Sequence, residues 1–252
     1  MQPVVKRILF YGILFIGWQL AVTVLDISES LLPAPTDVFS SLYTGFADMT
    51  LVYDLTASFR RLAIGLVIAL SLGLLLGVLL AKSKTADETL GSLVIALQSV
   101  PSIVWLPLAI MWFGLNEAAV TFIIVLGATL VMTLNMRTGL KNVPPLYIKA
   151  AQTMNYKGFS LFWKVMFPAS IPYAVTGTRL AWAFAWRALM AGELLSTGPG
   201  LGYKLKFASD FGDMSLVIAI MLMIMVIGVI VDLLFFQRVE KSVMKKWGLD
   251  TK

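Results

Sequence analysis

The sequence contains no cysteine and no histidine. Disulfide frameworks, thiolate metal sites, cysteine nucleophiles and histidine-based catalysis are thereby excluded, and no metal site is expected. Charge is scarce as well: 13% of the 252 residues are Asp, Glu, Lys or Arg, against about a quarter in soluble domains. A soluble fold needs polar residues to cover its surface, so this deficit argues against a single water-soluble core. A third absence is the G-x-x-x-x-G-K-[ST] phosphate loop, which occurs nowhere in the chain. The chain therefore lacks that nucleotide cradle, and no cofactor is expected in it.

What is present is a series of long apolar runs. Hydrophobic residues make up 59% of the chain, and the mean hydropathy is +0.86. A helix needs about 20 apolar residues to cross the hydrocarbon core of a bilayer. Six runs approach that length: Ile8 to Leu25, Leu62 to Ala81, Thr89 to Asn116, Ala118 to Met136, Ser170 to Leu195 and Ser215 to Val231. Pro101 and Pro107 interrupt the third, and each removes a backbone donor, so a kink or break is expected there. The expected fold class is an all-α membrane protein of about six transmembrane helices. Three segments are expected: an N-terminal span with an outer amphipathic stretch (1–56), a core (57–240) and a tail (241–252). Pro33 to Met49 is expected to form the amphipathic helix, after the Leu32-Pro33-Ala34-Pro35 turn.

The net charge is +6. Its distribution argues for lipid and against nucleic acid, because basic residues gather in short segments between the apolar runs, where they orient a membrane protein. Lys6, Arg7, Lys82, Lys84, Arg137, Lys141, Lys149, Lys157, Lys164, Arg238, Lys241, Lys245 and Lys246 fall on one side. Both termini are therefore expected in the cytoplasm. Arg60 and Arg61 break the pattern at the outer start of the second run, where they either snorkel to headgroups or face protein.

Charges inside spans are costly and invite a functional hypothesis. Arg179, Arg187 and Glu193 lie in the fifth run, beside Trp182 and Trp186. Arg187, Glu193 and Trp186 are candidates for a translocation path, with Arg187 offering positive charge to an anion. The alternative is a structural pair of Arg187 with Glu193 or Asp232. Gly73 and Gly77 have the spacing of a close helix contact. Gly198-Pro199-Gly200-Leu201-Gly202 is expected to be a turn, and Met221, Met223 and Met225 adaptable packing.

Between the fourth and fifth runs, residues 137–168 mix basic and apolar side chains. Tyr147-Ile148-Lys149-Ala150-Ala151-Gln152-Thr153-Met154-Asn155, followed by Phe159 to Pro168, resembles the EAA loop of ABC-importer permeases. The pattern there is Glu-Ala-Ala, a Gly, and a closing Leu-Pro. Lys149 stands for the Glu, Asn155 for the Gly and Phe167-Pro168 for Leu-Pro. Leu32 to Pro35, Pro101 to Gly114, Gly198 to Tyr203 and Trp247 are similar to the nitrate/sulfonate/taurine branch, in the same order. The resemblance implies a type I ABC-importer permease of the bacterial inner membrane, which performs no chemistry itself. Implied partners are an ATP-binding subunit dimer, a second permease copy and an extracytoplasmic solute-binding protein. Implied ATPase contacts are Lys149, Ala150, Ala151, Met154, Asn155, Phe159 and Pro168. The implied cargo is a small anion such as a sulfonate, taurine, nitrate or bicarbonate. A permease for another solute such as a thiamine precursor, and a secondary transporter, are the alternatives.

Overall fold

The computed structural model describes residues 3–249; the last three positions of the expected tail lie outside the described residues. In chain order the helices are α1 (Pro3–Val24), α2 (Pro35–Ala47), α3 (Thr50–Lys82), α4 (Lys84–Gln98), α5 (Leu106–Phe113) and α6 (Glu117–Lys141). They continue with α7 (Pro145–Thr153), α8 (Gly158–Leu161), α9 (Phe167–Glu193), α10 (Leu201–Asp210), α11 (Met214–Val231) and α12 (Gln237–Lys246). Single π turns at Phe162–Met166 and Asp232–Phe236 join α8 to α9 and α11 to α12. Among the described residues there is no strand, as the sequence leads one to expect.

The helix ends follow local chemistry. Pro35 sits in the first turn of α2, where its missing N–H is one of the unpaired donors anyway. The Ser83 hydroxyl accepts from Ala86 N at the start of α4, and the Asn116 side chain accepts from Ala118 N at the start of α6. Pro101 ends the α4 segment; α4 and the Ser102–Phe113 segment are bent by 96°. The expected break is thus a near right angle.

Six runs do not become six equal spans. Among the described residues, three helices are long and apolar enough to cross a membrane: Thr50–Lys82, Glu117–Lys141 and the continuous Met214–Lys246. The bent α4/α5 pair makes a fourth if it counts as one. Leu9–Val24 is apolar but shorter. The 27-residue α9 is long enough but carries Arg179, Arg187 and Glu193. Its charges need protein around them, so it reads as an interior helix.

The chain forms two compact units, residues 1–58 with 197–227, and residues 59–196 with 228–252. In the first, α1 and α2 meet through Trp18 Nε1, which donates to Pro33 O at 3.1 Å, and through the Phe15 and Phe39 rings. The α2-to-α3 corner turns on Met49 at φ 64°. There the Thr50 backbone N–H and hydroxyl donate to Asp48, at 3.0 and 2.7 Å. These bonds, the backbone one first, hold the Asp48 carboxyl below its ordinary range. The 198–202 segment is a turn, as expected. It is tied down by Gly200 N donating to Asp54 Oδ1 at 3.0 Å and Leu201 N to Ser58 Oγ at 2.9 Å. Two α3 side chains thus cap α10, whose own N-cap, Gly200, has none.

In the second unit α6 is the central helix, packing most extensively on α9. Small residues decide the approach to α3. A Cβ built at Gly73 would lie 3.0 Å from the Thr129 carbonyl oxygen, and one at Gly77 would lie 2.8 Å from that of Thr133. Between them and Gly65, Ala69 is fully buried and its carbonyl accepts from Thr129 Oγ1 at 3.4 Å. The expected close contact at Gly73 and Gly77 is therefore with α6. Backbone cannot yield as a side-chain tip can, so Gly77→Val should cost about 1–3 kcal/mol through overpacking. A lowered thermal midpoint of the detergent-purified protein would register it; an unchanged midpoint would show the contact to be loose.

Candidate functional site

Residues 142–168 fold into a projecting knob. Pro144 and Pro145 start α7, and Asn155 turns the chain at φ 64° before Gly158 does so at φ 52°. Asn155 thus takes the left-handed conformation that the Gly position of the motif requires. Lys149 and Ala150 are exposed while Ala151 is buried. Met154 and Phe159 are 70% and 76% exposed, beside exposed Leu146 and Trp163. Pro168 lies in the first turn of α9, so the knob and α9 are one continuous rod from Gly158 to Glu193.

Along that rod the charges find specific partners. Arg179 grips Asp232 through two bonds of 2.8 and 2.7 Å and gives a third, of 2.7 Å, to Glu240. Thr176 Oγ1 donates to the same Glu240 at 2.6 Å. At the far end Glu193 is fully buried and takes Arg61 Nη1 at 2.7 Å; Arg61, only 2% exposed, also reaches Glu117 at 3.0 Å. Arg60 joins Glu117 at 2.7 Å. The two arginines that broke the charge pattern therefore bond to protein, inside a helix that begins ten residues earlier than Arg60 at Thr50. Asp87 on α4 pairs with both Arg137 and Lys141, one turn apart on α6.

Arg187 stays outside these pairs, and the alternative pairing with Glu193 or Asp232 is not formed. Six residues along one helix, Arg187 and Glu193 point about 120° apart. Among the described residues Arg187 has no ion-pair partner: its Nε donates to Ala183 O at 3.1 Å and its guanidinium lies 5.2 Å from the Phe184 ring. It is exposed, and it lines a cavity of about 320 Å³ at the break between α4 and α5. Gln98, Pro101, Ser102 and Trp105 line the broken segment's side, and Leu126, Gly127 and Leu130 line the α6 side. Gly127 allows the close approach, since a Cβ there would stand 3.3 Å from Ser102 Cβ. Non-helical backbone at membrane depth persists where it is covered by protein or lines a cavity, and this break does the latter. Of the three path candidates only Arg187 faces the cavity. Trp186 is buried between Trp182 and Phe59, with ring centroids at 5.6 and 5.9 Å, and Glu193 is committed to Arg61.

The broken apolar helix, the cavity with its arginine and the two-helix knob all fall within the stretch that a family model covers. The model of binding-protein-dependent transport system inner membrane components matches residues 69–243. The chain belongs to this family. It is a multi-pass permease of the inner membrane type, and its relatives agree. It is 30% identical to the taurine transport system permease protein of Escherichia coli (strain K12) over 227 residues, covering 88% of this chain and 82% of that one. It is 30% identical to a nitrate import permease protein of Leptolyngbya laminosa over 187 residues, covering 74% and 67%. In fold it is similar to a chain of the inward-facing MetNI methionine ABC transporter, with a TM-score of 0.64 over 78% of this chain and 97% of that chain at 18% identity. The fold is that of a type I ABC-importer permease.

Gln98 and Ser102, which face the cavity with Arg187 in this permease, were not legible as site residues in the sequence. The available signal was Pro101, which marks where a helix must open its backbone. Arg61 gave another: a buried charge must have a partner, and Glu117 and Glu193 are acids at the ends of apolar helices.

Proposed function

We propose that this permease is the translocation subunit of an ATP-driven importer for a small anion, such as a sulfonate, taurine, nitrate or bicarbonate. The observation that carries the cargo class is Arg187, a guanidinium without an acid partner among the described residues, facing the cavity at the helix break. Guanidinium donors suit the planar or tetrahedral oxygens of nitrate and sulfonate groups. The taurine and nitrate relatives support the same class.

In this reading two copies pair in the plasma membrane with both termini in the cytoplasm. A separate ATPase dimer receives the knob through Lys149, Ala150, Ala151, Met154, Asn155 and Phe159, with Pro168 at the knob's base. ATP binding draws the two knobs together, and the continuous α8–α9 rod carries that movement toward Arg187. The path then opens outward to a loaded binding protein, and hydrolysis resets it. This chain contributes movement and an anion contact; the phosphoryl chemistry belongs to the ATPase.

The test is ATP hydrolysis by the reconstituted complex in liposomes. Adding binding protein with an anionic substrate should raise hydrolysis several-fold. Hydrolysis indifferent to both additions would overturn the importer reading.

A further inference from the structure

Resting on that importer reading, we propose that Phe162 is the positioning residue through which the knob drives α3 and α6, with Lys82 clamping its ring. Phe162 is 4% exposed and shares a buried cluster with Met136 and Leu140 of α6. Leu74, Val78 and Ala81 of α3 pack against the same cluster. Lys82 Nζ, at the last residue of α3, stands 3.6 Å from the centroid of the Phe162 ring. One ring from the knob therefore engages the ends of both neighbouring helices.

Outward, the contacts are unbroken. The Trp163 ring meets Phe162 edge-on at 5.4 Å, and Phe159 meets Trp163 at 5.9 Å. Phe159 is the most exposed large apolar side chain of the knob, at 76%. Rigid rings in close-packed surroundings transmit displacement instead of absorbing it. The backbone at this point is also special. Phe167 N donates to Phe162 O across the π turn. In a regular helix residues five apart face about 140° away from each other; here the two ring centroids lie 6.1 Å apart. Single π turns recur at functional sites, and this one aims Phe162 into the α3–α6 groove while Trp163 stays at the surface.

The receiving helices connect to the cavity. Gly73 and Gly77 lock α3 against α6 backbone to backbone, so a push at their ends moves them together. Nine residues separate Met136 from Gly127, roughly 14 Å of helix at 1.5 Å per residue. Leu126, Gly127 and Leu130 form the α6 wall of the Arg187 cavity. This gives a second route from knob to cavity, which leaves the rod at Phe162 and runs along α6 beside α9.

The experiment is the ratio of anion imported to ATP hydrolysed, in proteoliposomes holding the full complex with binding protein. Phe162→Leu keeps the burial but removes the ring and its cation contact. The expected result is a ratio lowered about tenfold, within the range of ordinary coupling energies, with the ATPase still co-purifying. Phe162→Tyr should restore the ratio and Lys82→Met should lower it in part, since neither changes the apolar cluster much. A purely structural Phe162 would lower the yield of complex and leave the ratio alone, which would overturn the proposal. If Phe162→Leu does not assemble, Lys82→Met decides, and a wild-type ratio there overturns the proposal too. A wild-type complex whose hydrolysis ignores the binding protein would instead refute the importer reading, and this inference with it.

Discussion

Replacing Glu193 with Gln is expected to remove most of the folded permease from detergent extracts, with Arg61→Met doing the same. Arg61 and Glu193 are 2% and 0% exposed and lie 2.7 Å apart. Taking Arg61 away removes the counter-ion of a fully buried Glu193, and taking the Glu193 charge away leaves the buried Arg61 only the half-exposed Glu117. Breaking a buried pair in this way costs about 3–5 kcal/mol, a large part of the roughly 5–15 kcal/mol that holds a typical domain together. The pair also ties the end of α9 to α3, and Glu117 extends it to the start of α6, so three helices lose a common anchor. The exposed Lys84–Glu88 pair provides the control; Lys84→Met should cost about 0.5 kcal/mol or less. A joint Arg61→Met, Glu193→Met change should recover part of the loss, because a buried pair contributes little beyond an apolar replacement. Fluorescence-detected gel filtration and thermal unfolding measure all four. Glu193→Gln melting within about 2 °C of wild type, well below the shift that 3 kcal/mol implies, would contradict the argument.

Arg187→Gln should have the opposite profile, with an intact complex and lost uptake. Arg187 is exposed and bears on no ion pair among the described residues, so its removal leaves no orphaned acid behind. Its hydrogen bond to the Ala183 carbonyl spans a single turn of its own helix. For an anion passing the cavity the change is severe. A charge-assisted hydrogen bond contributes about 1.5–3 kcal/mol, so losing one should slow uptake by roughly tenfold to a hundredfold. Arg187→Lys keeps the charge without the planar fork and should fall between the two. The measurement is binding-protein-dependent uptake of a labelled sulfonate or nitrate, normalised to complex recovered. Normal uptake by Arg187→Gln would remove Arg187 from the path, and poor recovery of complex would assign it a structural role.

The sequence exposed the parts of this fold that depend on local chemistry. Pro101 announced the break after α4, because a proline removes a donor wherever the chain goes. Asn155 stands where the resembling motif has Gly, and its φ of 64° is left-handed. Gly73 and Gly77 announced a close helix contact, though not that the partner was α6. The boundaries of α3 were harder: the apolar run begins at Leu62, yet the helix begins at Thr50, because Asp54, Ser58 and Arg61 are polar residues whose partners are elsewhere in the protein. Hydropathy cannot distinguish a satisfied polar group from a solvated one.

By itself, then, the sequence determined a helical membrane protein with a broken third run, a mixed basic and apolar connection between α6 and α9, and a set of charges too costly to lie in lipid. Tertiary structure alone decided which charge meets which. Glu193 belongs to Arg61, 132 residues away in the chain, Asp232 belongs to Arg179, and Arg187 is left to the cavity. Partner choice depends on the rotation and depth at which helices pack, and those are fixed by small residues such as Gly73, Gly77 and Gly127 acting across helices. An arginine in an anchoring pair and an arginine facing a path are the same letter until that packing is in place.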